Sequence, residues 1–172
     1  MSPNELREQH PQLHVMPITM DNDAAVYPVE QWRETDIEIT LDSGACDHIM
    51  DAEDAPGYVV EPSVGSRRGK CFTVGNGARV PNEGQMRASM EAEAQSGDRP
   101  RIQSTFQVAE ISRPLMSVSK ICDQGYGCLF TKEGAQVLDQ EGKEICKFGR
   151  SEGLYVSTMK LKPPEPFRGQ AP

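Results

Sequence analysis

Ile37-Glu38-Ile39-Thr40-Leu41-Asp42-Ser43-Gly44-Ala45-Cys46-Asp47-His48-Ile49 alternates apolar and polar residues over its first half, then runs straight into Asp-Ser-Gly. Alternation with period two is the pattern of a half-buried strand, with Ile37, Ile39 and Leu41 pointing inward. A carboxylate, Asp42, therefore stands where a strand breaks into a turn. Acid hydrolysis by a carboxylate needs this combination: a strand behind the acid to fix it, a hydroxyl residue beside it, and a glycine whose backbone can come close. Asp-Ser-Gly is also ordinary turn chemistry, so the reading depends on the rest of the chain.

Working outward, Cys71-Phe72-Thr73-Val74-Gly75-Asn76-Gly77-Ala78-Arg79-Val80 places Asn-Gly between apolar flanks, a hairpin signal because both residues tolerate positive φ. Such a glycine-rich hairpin is either a mobile flap over a cleft or a plain surface turn. From Gln85 to Gln95 the apolar residues Met86, Ala88, Met90, Ala92 and Ala94 hold every second position, and Ile102 to Val108 keeps the same parity after a turn at Ser96–Pro100. Two meander strands are expected, although Met, Ala, Glu and Gln also form helices well. Leu115 to Gly125 changes period: Val118, Ile121 and Cys122 share a helical face, and Gly125 stands at a C-terminal cap. Beyond it Cys128–Phe130, Gln136–Leu138, Glu144–Cys146 and Leu154–Val156 read as short strands, punctuated by Glu133-Gly134, Glu141-Gly142 and Glu152-Gly153. Between Met50 and Val64 only Tyr58-Val59-Val60 suggests a strand.

The flanks are different in character. Residues 1–33 carry Pro3, Pro11, Pro17 and Pro28 among polar residues and read as a disordered or extended arm, in which His14–Met16 and Ala25–Tyr27 offer short strands or docking contacts. Trp32 reads as an edge-of-core anchor. A domain is expected over 34–158 and a Pro-rich flexible tail over 159–172.

Composition bounds the function. The chain has 172 residues, a formal net charge of −8 and no dense basic patch beyond Arg67, Arg68 and Lys70, which argues against a nucleic-acid partner. Mean hydropathy is −0.57, and no apolar run reaches membrane-spanning length. With no signal-peptide pattern, an intracellular, cytoplasmic protein is expected. Five cysteines, odd in number and without a C-x-x-C pair, read as free thiols. Cys46 and His48 offer two metal ligands without a second pair, so neither a metal nor a cofactor is expected.

Taken together, Leu41-Asp42-Ser43-Gly44-Ala45 with His48-Ile49-Met50, the Phe72–Gly77 hairpin, Arg113 to Gly125, and Gly149-Arg150 with Gly153-Leu154-Tyr155 resemble the protease region of copia-type retrotransposon polyproteins, members of the retropepsin-like aspartic proteases. The likeness covers roughly Trp32 to Val156. It implies a mostly β fold: a small closed antiparallel β-barrel of retropepsin type with one short helix. It also implies Asp42 as catalytic carboxylate, Ser43 and Gly44 in the active-site turn, and a flap over the cleft, so that Ala45, Val74, Gly75, Asn76 and Gly77 face substrate. Ser117 replaces the glycine usual in retroviral members, as in the copia-type branch. Integrase and polymerase regions are missing, so a fragment, a processed product or a stand-alone relative is expected.

Peptide hydrolysis by this chemistry uses two carboxylates sharing a proton, and the chain supplies one Asp-Ser-Gly. The expected enzyme is therefore a homodimeric aspartic endopeptidase whose two Asp42 residues meet at a twofold axis and cleave an extended polypeptide. Like charges that close titrate as a pair, which sets maximal activity at mildly acidic pH. Asp47 is a weaker candidate acid because no Ser-Gly follows it, and His48 reads as structural or solvent-facing. Cys46 is not placed to act as a nucleophile with His48. The alternative is an inactive module of the same fold kept for dimerisation or assembly.

Overall fold

The computed structural model describes residues 13–15 and 34–164. The protein is mostly β: 47% of it is strand and 10% helix. In chain order the strands are β1 (Leu13–Val15), β2 (Thr35–Asp42), β3 (Ile49–Met50), β4 (Cys71–Thr73), β5 (Arg79–Pro81), β6 (Gly84–Glu91), β7 (Arg101–Val108), β8 (Leu115–Ser117), β9 (Gly127–Phe130), β10 (Gly134–Leu138), β11 (Glu144–Ser151) and β12 (Leu154–Leu161). Two short helices, α1 (Val64–Arg67) and α2 (Val118–Asp123), complete the set with a 3-10 turn at Ala52–Asp54.

Ten strands form one sheet in the order β1-β7-β3-β8-β2-β12-β11-β10-β9, with β6 paired to both β12 and β7. β4 and β5 make a separate two-stranded hairpin. The period-two readings hold where burial is strongest. In β2 the side chains of Ile37, Ile39 and Leu41 are buried, and across β6 and β7 the antiparallel register sets Met86 opposite Phe106, Ala88 opposite Ser104 and Met90 opposite Ile102. All six are buried, so alternation in two strands becomes one buried layer, apolar but for Ser104. Ala92 and Ala94 are buried as well, although β6 stops at Glu91 and the chain continues as a looser turn closed by Ala94 N–H to Asp98 O, 2.9 Å.

Several expectations are corrected. The sheet is mostly antiparallel but mixed, with parallel pairs that a barrel of antiparallel strands leaves out: β2 runs parallel to β8, β3 to β7 and β1 to β7. Alternation reports which face is buried and is silent on strand direction. Among the described residues there are two short α-helices where one was expected, because α1 is held by local chemistry that leaves no periodicity: the Ser63 and Ser66 side chains each accept a bond from the other's backbone N–H. Arg67 ends this helix. Tyr58-Val59-Val60 forms no strand; the Tyr58 hydroxyl instead donates to Lys162 O at 2.6 Å and accepts from Ser89 N–H at 3.1 Å. β12 continues to Leu161 with Met159 and Leu161 buried, so the tail boundary drawn at 159 falls inside the last strand. Within the arm, Leu13–Val15 pairs in parallel with Arg101–Gln103. Ala25–Tyr27, Trp32 and the end of the tail lie outside the described residues.

The Phe72–Val80 hairpin forms, with a turn of another kind. Gly77 N–H donates to Val74 O at 2.8 Å, Val74 N–H to Ala78 O at 2.9 Å, and only Gly77 has positive φ, +82°. This is a three-residue loop in which Asn76 stays in an ordinary conformation and its side chain accepts from Ala78 N–H at 2.9 Å.

Candidate active site

β2 delivers Asp42 to the end of the sheet beside Ser117, its register partner on β8. Asp42 is half-buried, while Ser43 and Gly44 are exposed and Ala45 half-buried. One oxygen of Asp42, Oδ1, accepts the Gly44 N–H at 2.7 Å. A Cβ on Gly44 would come within 3.3 Å of that oxygen, so a larger residue here would press the carboxylate aside by a few tenths of an ångström, an effect of close approach and not of φ. The turn thus fixes the carboxylate while leaving it open to solvent.

What holds the turn from beneath is a set of residues far away in sequence. The Ser117 hydroxyl donates to Ala45 O at 2.7 Å and accepts the Lys120 N–H at 3.3 Å, so one side chain pins the turn and caps α2. Its backbone N–H donates to His48 Nδ1 at 3.0 Å. His48 is fully buried, its ring tilted against Phe106 with centroids 5.5 Å apart, and its backbone carbonyl accepts the Gln107 N–H at 2.8 Å. Because Nδ1 accepts, the proton of the neutral ring is on Nε2, which finds no hydrogen-bond partner among the described residues. Burial, with the Lys120 charge adding to it, pulls the imidazole pKa down to about 4. Of the two readings of His48, structural and solvent-facing, the structure gives the first.

Asp47 lies 3.6 Å from Lys120 Nζ in an ion pair. Burial raises its carboxyl pKa, and the Lys120 ammonium opposes that shift without cancelling it. Cys46 is exposed and free.

The second group of predicted residues, Val74, Gly75, Asn76 and Gly77, sits on the tip of the β4–β5 hairpin. Nothing lies within 4 Å of a Cβ built on Gly75 or Gly77, and no hydrogen bond or ion pair joins the tip to Asp42–Ala45 among the described residues. The foot is fixed where the tip is open. Asn82, just after β5, bonds through Nδ2 to Gln107 Oε1 at 2.9 Å, through Oδ1 to Gly84 N–H at 2.9 Å, and meets Ser63 Oγ at 3.2 Å. Gln107 is the residue that also holds His48 O, so hairpin foot and acid turn share one anchor on β7.

Lys120 and Asn82 are site residues that sequence reasoning did not assign, and Ser117 and His48, both named there, were given no part in bracing the turn. Ser117 alone left a signal, a serine immediately before a helical run. Replacing it with alanine is expected to cost about 1–3 kcal/mol in urea denaturation at neutral pH, because it removes a helix cap and leaves the Ala45 carbonyl without its donor. Among the described residues no group of three His, Cys, Asp or Glu is placed to hold a metal ion, and no helix is long and apolar enough to cross a membrane. Compared with protein-family models, with curated proteins and with solved structures, the chain matches none.

Proposed function

We propose that this chain is an aspartic endopeptidase that works as a homodimer, hydrolysing a peptide bond with a water molecule activated between the two Asp42 carboxylates, one from each copy. The observation that carries the reading is the Asp42 turn itself: a half-buried carboxylate at a strand end, fixed by Gly44 and braced from below by Ser117 and His48. A bracing network of this kind is what a group needing fixed geometry requires. One carboxylate takes a proton from the water as the other gives one to the substrate carbonyl oxygen, and the roles reverse as the bond breaks. Ser43 and Gly44 shape the turn, and Ala45 borders the substrate.

Two further features support the reading. Following strand neighbours from β7 through β3, β8, β2, β12 and β6 leads back to β7, a ring of pairings that supports a closed barrel. The β4–β5 hairpin, fixed at its foot and open at its tip, suits a flap that lays Val74, Gly75, Asn76 and Gly77 along an extended polypeptide. The acidic balance disfavours a nucleic-acid partner. The setting we infer is the cytoplasm, where free thiols such as Cys46 and Cys71 stay reduced.

The test is cleavage of a denatured protein between about pH 4 and pH 7, with sedimentation on the same samples across a dilution series. Specific activity is expected to follow the dimer fraction. Activity that persists in a strictly monomeric sample overturns the shared pair of carboxylates. A well-formed dimer without activity overturns the enzyme and leaves the dimerisation module.

A further inference from the structure

The tip of the β4–β5 hairpin carries a chemistry of its own. Asn76 and Gly77 are both exposed there. Asn76 Oδ1 accepts the Ala78 N–H at 2.9 Å, which closes a ring that includes the amide carbon Cγ and the Gly77 nitrogen and holds the two on one side of the chain. Nδ2 of the same amide makes no hydrogen bond among the described residues. Glycine puts no Cβ beside its own nitrogen, so that nitrogen is open to approach. The Ala78 N–H sits on the oxygen that turns negative when a nucleophile adds to Cγ, where a fixed donor lowers the barrier. One contact opposes the reaction: the Gly77 N–H donates to Val74 O at 2.8 Å and has to be released first.

The chain holds its own comparison. Of its four asparagines, Asn4, Asn22, Asn76 and Asn82, only Asn76 precedes a glycine. Asn82, six residues on at the foot of the same hairpin, has both ends of its amide engaged: Nδ2 donates to Gln107 Oε1 at 2.9 Å, and Oδ1 accepts the Gly84 N–H at 2.9 Å. The residue after it is Glu83, which carries a Cβ and whose N–H is committed to Val108 O at 2.8 Å. An amide held at both ends cannot turn its carbon to the main chain or let its nitrogen go.

We propose that Asn76 is a self-modification site, converted by the Gly77 nitrogen and water into aspartate and isoaspartate, and that the hairpin tip sets the pace. The Gly77 nitrogen gives its proton to solvent and bonds to Asn76 Cγ; the Cγ–Nδ2 bond breaks and ammonia leaves, closing a five-membered imide. Water then adds to either imide carbonyl and opens the ring, one carbonyl giving aspartate and the other isoaspartate. One water enters, one ammonia leaves, and nothing is oxidised or reduced. Proximity of the reacting atoms supplies the rate, and opening of the Gly77 N–H to Val74 O bond gates it. Either product puts a new negative charge on the tip. Isoaspartate also lengthens the main chain by one carbon, inside the loop that Val74 N–H closes onto Ala78 O at 2.9 Å. The consequence for cleavage rests on the peptidase reading: a carboxylate on the flap adds a further acid over a site that shares one proton.

The modification itself is independent of that reading, and its test is a mass measurement that needs no activity. The full chain is held folded at mildly alkaline pH and body temperature, sampled over time, quenched in acid, alkylated and digested briefly with trypsin. Cleavage after Lys70, Arg79 and Arg87 puts Asn76 in Cys71 to Arg79 and Asn82 in Val80 to Arg87. The first peptide is expected to gain one dalton and to split into two chromatographic peaks, isoaspartyl and aspartyl, while the second keeps its mass. A synthetic peptide of the same nine residues, free of the Val74 bond, should convert several-fold faster than the folded chain. The same peptide with Gly77→Ala, in which a Cβ crowds the attacking nitrogen, should convert several-fold more slowly, a comparison that no failure to fold can disturb. A folded chain that keeps its mass while the free peptide converts completely would overturn the site. Conversion of Asn82 in step with Asn76, aspartate without isoaspartate, or equal rates for the glycine and alanine peptides would each overturn it too. A folded chain converting as fast as the free peptide would remove the gate.

Discussion

Asp42→Asn is expected to lower peptide cleavage by about 10³-fold or more, the scale lost with a positioned general acid–base, while fold and dimer persist. The substitution is nearly isosteric. An asparagine Oδ1 still accepts the Gly44 N–H now held at 2.7 Å, and the Ser117 and His48 contacts do not involve the carboxylate at all. Only the ability to exchange a proton with water and substrate is removed. Subunit mixing then separates the shared site from a one-chain site. If each active centre needs two aspartates, wild type diluted with an equal amount of the Asp42→Asn variant after subunit exchange retains about a quarter of the activity of a pure wild-type sample at the same total concentration. A one-chain enzyme would retain half. Full activity in the pure variant would move the acid elsewhere, and Asp47, engaged with Lys120, would be the next substitution to make.

How much of this was readable from the residues depends on the distance over which they act. The β2 strand and its turn were legible because Ile37 to Gly44 carries its instructions locally: alternation sets the face, and glycine admits the carboxylate. The β6–β7 layer was legible for the same reason, since two alternating runs joined by a short turn leave one register that buries both apolar faces. The C-terminal cap at Gly125 likewise lies within a few residues of what it caps. Strand direction was not legible. β2 lies parallel to β8 across a connection running from Ser43 to Pro114, and a period-two pattern is the same read in either direction. The brace under the turn was hidden too, because Ser117 and His48 are 69 positions apart and each looks unremarkable alone. Exposure misled at the tail, where the prolines after Lys162 drew attention from Met159 and Leu161, which close the core.

Acid is expected to loosen the same brace. His48 accepts the Ser117 N–H through Nδ1, so a proton added there sets two N–H groups against each other and places a charge in a site from which water is excluded. Its folded-state pKa is accordingly depressed, to about 4 from an ordinary 6.5. For a base with a depressed pKa the unfolded chain binds the extra proton first. The contribution to stability is whole above pH 6.5 and is lost as the pH falls towards 4. Converted at about 1.4 kcal/mol per pH unit, the loss across that window is about 3 kcal/mol. Asp47 works in the opposite sense, since a raised carboxyl pKa favours the folded state in acid, and its partner Lys120 stays charged throughout. The measurement is therefore a comparison: urea midpoints from pH 7 to pH 4 for wild type and for His48→Gln, which keeps an acceptor for Ser117 and cannot titrate. The variant should lack the roughly 3 kcal/mol portion of the wild-type decline. Coincident curves would remove His48 as the acid-sensitive member. A shared-proton pair favours mildly acidic conditions, while the folded state loses stability below pH 6.5 and the brace itself takes up a proton only near pH 4, so the two effects bound the proposed peptidase from opposite sides. The acid limb of the wild-type pH profile should accordingly shift to lower pH in His48→Gln, a change that an effect on the carboxylate pair alone would not produce.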